Sequence, residues 1–400
     1  MFISGSIGMG HVTRDMAILK EIRRLRPDIE IECLAGEPAA SVLRNSGWTL
    51  VPECSDPAFQ RLGDFVEGMA DSYSLSLWKA FYEGGKVLDE PFKVYLRIVE
   101  RGNYDLVVGD EAYEVMNGYI IDLNSKKVPF IWIIDFAKNY PLTWNPKERF
   151  IVWMLNRFMW NKPLADGKKG IRYADVSIFI GEPEDMPEER IGLFLGKASE
   201  MRNFYKIVGY APNFDPRQYL DQAAMKRELG YGMEKLIICS IGGTAVGKPL
   251  LDLCARAYPF IKEKVPDAKM LIVAGPRLKA EEINAPEGVE VKGYVPELYK
   301  HFAASDLAIV QGGGSTTFEL TALKRPFIYF PLEGHFEQQV IVPNGLQRHR
   351  AGVKMRYPGT TPQMLVEAVV ANLGKKVDYV DVPVDGARKA AEIIVGCLPN

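Results

Sequence analysis

Two glycine turns and the polar residues beside them hold most of the chemistry this sequence offers. In the C-terminal half, residues 307–310 form a short apolar run of the kind found in buried parallel strands. Gly312, Gly313 and Gly314 follow, before a helical pattern over 316–323. Glycine lets backbone approach a ligand closely, Ser315 and Thr316 add hydroxyls, and the free amides of a helix N-terminus favour an anion. A diphosphate suits such a cradle. Glu319, on the same helix, carries a carboxylate able to accept both hydroxyls of a ribose. A second apolar strand, 327–330, ends at Pro331, and Glu337, Gln338 and Gln339 stand beyond its carboxyl end, where open α/β sheets bind ligands. Their carboxylate and amides can read sugar hydroxyls.

The N-terminus repeats the pattern. A short strand at 2–4 runs into Gly5-Ser6-Ile7-Gly8-Met9-Gly10-His11 and then a helical stretch over 12–25. An imidazole at that helix start can accept a proton. The strand 106–109 leads to Asp110 and Glu111 on the same sheet edge as His11, two carboxylates that suggest a site, with a helix N-cap or loop carboxylate as the plain alternative for Asp110. Thr13 and Arg14 read as capping residues of the first helix, with lining of a ligand site as the alternative.

The elements that must position these residues repeat as β-α-β units. A chain of 400 residues exceeds what one core usually organises, so two domains of roughly 200 residues are expected. Strands are predicted at 29–35, 49–51, 130–134, 176–180 and 204–208 in the first. The stretch 54–73 is expected to be a polar loop, and 75–100 a helix with a break at Gly84-Gly85. The Pro/Asn/Asp-rich run 209–216 marks the boundary. In the second domain the strand 236–240 meets the turn Gly242-Gly243-Thr244, with Lys248 at the next helix start, and further strands fall at 270–274 and 289–292. Arg277 is a phosphate or base contact, or else a solvated surface cation.

Hydrophobic residues make up 47% and charged residues 25%, with a net charge of -2, so there is no overall signature of nucleic-acid binding. The five cysteines form no CxxC pair, and no apolar run reaches about 18 residues. A reduced, cytoplasmic protein without a signal peptide or spanning helix is expected.

The order of motifs resembles the nucleotide-sugar half of GT-B glycosyltransferases. It comes nearest to the group containing the peptidoglycan N-acetylglucosaminyltransferase and related glucosyl- and glucuronosyltransferases. SIGMGHVTRD is similar to the N-terminal signature of many of them. The resemblance implies an α/β fold of two Rossmann-like domains whose parallel sheets face each other across a cleft. These are an acceptor-binding domain over 1–209, a nucleotide-sugar domain over 217–384, and a terminal helix in 385–400 returning to the first domain. It gives the diphosphate to Gly313, Gly314, Ser315 and Thr316, ribose to Glu319, and the donor sugar to Glu337, Gln338 and Gln339. Gly243 and Thr244 become the first donor loop, and Gly293-Tyr294-Val295-Pro296 resembles the segment whose backbone reads the base. His11 becomes the base facing the acceptor, oriented by Asp110, with Gly8, Gly10 and Glu111 on the acceptor side.

Without an Asp-x-Asp motif, no metal site and no cofactor beyond the donor, a UDP-sugar by family frequency, are expected. The implied activity is inverting transfer of a hexose or N-acetylhexosamine to an acceptor hydroxyl. A nucleotide-sugar hydrolase, a GT-B 2-epimerase and a silent nucleotide-sugar-binding protein are the rivals. The segment 144–172 carries Lys147, Arg149, Arg157, Lys162, Lys168, Lys169 and Arg172 interleaved with Trp144, Phe150, Trp153, Phe158 and Trp160. It suits peripheral contact with the inner face of a membrane and a lipid acceptor. The alternative is a helix whose Ile151, Leu155 and Phe158 are core and whose cations are solvated.

Overall fold

The structure, a computed structural model, describes residues 1–5, 9–68, 70, 71, 73–75, 77–160, 173–193 and 196–399. The chain forms two compact units, one of Met1–Met69, Ser76–Asn213 and Asp385–Asn400, the other of Ala70–Leu75 and Phe214–Val384. The first holds a seven-stranded sheet in the order Thr49–Leu50, Glu32–Leu34, Phe2–Ile3, Val107–Asp110, Phe130–Ile134, Val176–Ile180, Tyr205–Gly209. All its pairings are parallel. The second holds six parallel strands in the order Val289–Lys292, Ala268–Val273, Lys235–Ser240, Leu307–Gln311, Phe327–Phe330, Val353–Lys354.

Central strands such as Phe130–Ile134 and Leu307–Gln311 are buried at every residue, as expected where helices cover both faces of a sheet. In each sheet the order reverses once. The reversal falls between Phe2–Ile3 and Val107–Asp110 in the first unit and between Lys235–Ser240 and Leu307–Gln311 in the second. Crevices at such reversals are where open α/β sheets bind ligands. The helix Gly386–Val395 packs against Met9–Leu25, where buried Ala387, Ala390 and Ala391 permit a close approach.

Two stretches differ from the sequence reading. The expected polar loop at 54–73 contains the helix Pro57–Gly68, which buries Ala58, Phe59 and Leu62 at helical spacing. A hairpin of Ala70–Asp71 and Ser74–Leu75 follows and belongs to the second unit. There Tyr73 is buried; its hydroxyl donates to Phe330 O at 2.7 Å, and its ring lies 4.5 Å from that of Tyr357. The break expected at Gly84-Gly85 does not occur, because the helix Leu77–Gly102 runs through it. Two glycines cost a helix about 1 kcal/mol each relative to alanine, a penalty that burying Val94, Tyr95 and Ile98 further along the same helix offsets.

Candidate functional site

In the first unit the chemistry gathers at the sheet reversal. His11 and Arg14 are three residues apart on the helix Met9–Leu25 and therefore share a face. Gly5, at the end of the first strand, lies tight against the neighbouring strand end: a Cβ on it would stand 2.8 Å from the Asp110 carbonyl oxygen. Arg14 is not a capping residue. It is buried, and its guanidinium is the centre of a charged cluster. Nε donates to Asp110 Oδ2 at 2.6 Å, Nη2 donates to Asp110 Oδ1, and Nη1 donates to Asp135 Oδ2 at 2.6 Å. Nη2 also stands 2.9 Å from His11 Nδ1 and 3.4 Å from Glu111 Oε1, while Asp110 Oδ1 is 3.4 Å from His11 Nδ1.

One buried cation thus serves three carboxylates, and it serves them unequally. Burial opposes ionisation of Asp110, but the Arg14 guanidinium and then His11 hold its carboxyl well below the usual range. Glu111 is pushed well above that range by burial and by Asp135; its Oε2 accepts from the Tyr113 hydroxyl at 2.7 Å. Its backbone is left-handed at φ 45°, a costly conformation for a non-glycine residue and one that clusters at functional sites. Asp15, accepting from Ser4 Oγ at 2.5 Å, is raised by burial and by Asp110. His11, Asp110 and Glu111 offer ligand atoms within 4.8 Å of one another, a spacing that would suit a cation. Arg14 Nη2 reaches all three and supplies that positive charge. Thr13 Oγ1 bonds back to Met9 O and Gly10 O of its own helix, and Gly8 lies outside the described residues.

In the second unit the expected donor residues follow the carboxyl ends of five neighbouring strands. Val295 follows Val289–Lys292, Arg277 follows Ala268–Val273, Gly243 and Thr244 follow Lys235–Ser240, Gly313 follows Leu307–Gln311, and Glu337 follows Phe327–Phe330. The two glycine turns are adjacent, at the reversal. A Cβ on Gly312 would stand 2.9 Å from Pro331 Cα, so packing alone requires that glycine. At Gly313 a Cβ would meet nothing within 4 Å among the described residues, leaving space above the start of the helix Gly314–Ala322. Ser315 and Thr316 lie in that first turn, partly exposed, and a Cβ on Gly314 would stand 3.6 Å from Glu337 Oε1.

Two neighbours are differently employed. Gln338 Oε1 accepts from Leu332 N at 2.9 Å, and Gln339 Nε2 donates to Pro331 O at 3.2 Å and Leu332 O at 3.1 Å. These amides brace the turn after the strand, from a π-helical segment, Glu337–Ile341. Lys248 pairs with Asp252 at 2.9 Å on its own helix. Glu319 is partly buried, and burial pushes its carboxyl up to about 8.

Two doubly wound units, one with an open helix N-terminus framed by glycines and hydroxyls, the other with a buried His-Arg-carboxylate cluster, define a GT-B architecture. Residues 237–379 match the Glycosyltransferase family 28 C-terminal domain. An uncharacterized glycosyltransferase of Methanosarcina mazei is 29% identical over 95% of this chain and 91% of its own length. The UDP-N-acetylglucosamine--N-acetylmuramyl-(pentapeptide) pyrophosphoryl-undecaprenol N-acetylglucosamine transferase of Carboxydothermus hydrogenoformans is 28% identical over 35% of this chain; that match spans 40% of the relative's length. In fold, the chain is similar to the kitacinnamycin glycotransferase, with a TM-score of 0.60 and 15% identity over 100% of this chain and 98% of that one. The chain is a glycosyltransferase with the GT-B fold.

Proposed function

We propose that this enzyme transfers a hexose or N-acetylhexosamine from a UDP-sugar to an acceptor hydroxyl with inversion and without a divalent cation. The observation that carries this reading is the open space at Gly313 above the amides of Gly314–Ala322, with Ser315 and Thr316 in the first turn. Amides and hydroxyls there stabilise the leaving diphosphate as charge develops on it. His11 in the first unit takes the proton of the acceptor hydroxyl, and the oxygen displaces the nucleotide from the anomeric carbon in one step, which inverts it. N-acetylglucosamine is the first donor sugar to test, since the Carboxydothermus relative is named for it. Calorimetry with UDP is expected to give the same affinity with and without EDTA. Loss of binding on chelation would remove the metal-free reading.

A lipid-linked acceptor is supported by one surface. On the helix Pro146–Trp160, Phe150, Met154 and Phe158 are exposed at four-residue intervals, beside exposed Arg149 and Arg157. Trp144, 89% exposed, precedes them, and the Arg149 guanidinium lies 5.1 Å from its ring centroid. Ile151, Val152 and Met159 point the opposite face into the core. An outward aromatic and cationic face suits a membrane interface. No described helix is long and apolar enough to cross a membrane. Lys162, Lys168, Lys169 and Arg172 lie outside the described residues. The protein is expected to sediment with anionic vesicles at low salt and to be released at high salt. Binding unchanged by Arg149→Glu with Arg157→Glu would favour an acceptor free of membrane.

A further inference from the structure

A guanidinium has donors only, so the 2.9 Å contact between Arg14 Nη2 and His11 Nδ1 has one meaning. Nη2–H donates to the Nδ1 lone pair, and the ring proton is on Nε2. In that tautomer the outward nitrogen is a donor and cannot take a proton from an acceptor hydroxyl. Asp110 Oδ1, at 3.4 Å, is the group that would receive an Nδ1 proton, but Arg14 already holds both Asp110 oxygens and stands closer to the ring.

We propose that Arg14 is a positioning residue that holds His11 in the Nε2–H tautomer, so that the imidazole becomes a base only when Nη2 passes from Nδ1 to the Glu111 carboxylate and Asp110 receives the Nδ1 proton. The transfer is short, because Glu111 Oε1 is already 3.4 Å from Nη2. Protons balance: Glu111 releases its proton to water as it takes up Nη2, one proton leaves Nε2 to water, one returns from water to Nδ1, and the ring stays neutral until it takes the acceptor's proton. Glu111 must be ionised to draw Nη2 away. The groups facing it are Arg14 and His11 from the first helix, Asp110 at its own strand end, Tyr113 from the next helix, and Asp135 after the neighbouring strand. Burial, Asp135 and Asp110 favour a proton on Glu111, which stabilises the resting arrangement, while Arg14 and Tyr113 oppose it. Arg14 Nε and Nη1 keep their bonds to Asp110 and Asp135 throughout, so the rearrangement is confined to Nη2 and the His11 ring.

The inference rests on His11 being the base, and its test is kept separate from turnover. Nitrogen NMR of the ligand-free wild-type protein reports which ring nitrogen of His11 bears the proton. Nε2–H is expected, whereas an Nδ1–H tautomer would overturn the proposal. Arg14→Met removes the donor at similar length and is expected to move the proton to Nδ1; an unchanged tautomer in a folded variant would overturn it too. Should Arg14→Met fail to fold, the wild-type spectrum still decides. Glu111→Gln is expected to keep the Nε2–H tautomer while kcat for UDP release from UDP-N-acetylglucosamine falls about tenfold or more at unchanged KM. A wild-type kcat in Glu111→Gln would remove Glu111 from the exchange. If His11→Ala transferred normally, the base assignment would fail whichever tautomer the spectrum showed.

Discussion

His11→Ala is expected to retain UDP binding while transfer falls on the order of 100-fold or more, the usual cost of losing a positioned general base. His11 is 15% exposed, at the start of the first helix, and the glycine turn proposed to hold UDP belongs to the other unit. The loss should therefore appear in kcat with nucleotide affinity unchanged. Asp110→Asn should impair the same step, for two reasons that the geometry joins. It removes the negative charge of the acceptor for an Nδ1 proton, and it strips Arg14 of its closest counter-charge. Residues acting as one unit are not additive. The double variant should consequently be little slower than the slower single one. A His11→Ala enzyme retaining about a tenth or more of wild-type rate would show that the proton goes elsewhere.

The residues that the sequence made legible are those whose role is set by local pattern. Continuous apolar runs such as 130–134 and 307–310 announce parallel strands, because both faces must be covered. The glycine turns after 2–4, 236–240 and 307–310 follow from strand-to-helix geometry, and with them the positions of His11, Gly313 and Glu319. Asp110 was found for a related reason, since it ends a strand on the same edge. The burial of Arg14 is not legible in the sequence, because an Arg in a helix's first turns is ordinary on the surface. Its depth depends on Asp110 and Asp135, which come from strands about 100 residues away or more. The spacing His-x-x-Arg was the available signal, as it puts both side chains on one face. Tyr73 was illegible too, for its partners Phe330 and Tyr357 are more than 250 residues distant. The edge strand Val353–Lys354 is two exposed residues long and leaves no apolar run to read. Gln338 and Gln339 have a chemistry that serves ligand or backbone equally, and only the fold shows them bonded to Pro331 and Leu332.

Glu319 supplies the second large effect, and its sign depends on pH. Burial raises its carboxyl from an ordinary 4.5 to about 8. Below pH 4.5 it is protonated whether the chain is folded or not, so its preference for the neutral form is fully present. Between 4.5 and 8 the unfolded chain releases that proton and the folded one keeps it, so stability falls as pH rises and levels off above 8. Glu319→Gln abolishes that slope and should be more stable than wild type at pH 9 by about 2 kcal/mol, a figure reduced for solvent screening at a partly buried site. The two should converge towards pH 4 in urea unfolding. Nucleotide binding runs the other way. Ribose hydroxyls donate best to the ionised carboxylate, so affinity should climb with pH towards 8 as the cost of ionising Glu319 is relieved. UDP-N-acetylglucosamine is the ligand to use, because the terminal phosphoryl group of UDP itself titrates near pH about 6. Between about pH 6.5 and 8.5 the wild-type affinity should rise, while Glu319→Gln should bind with a flat profile and, at the upper end, about 1 to 3 kcal/mol more weakly. A flat wild-type profile would mean that the ribose is held by another group, whereas a rising profile that survives in Glu319→Gln would place the titrating residue elsewhere.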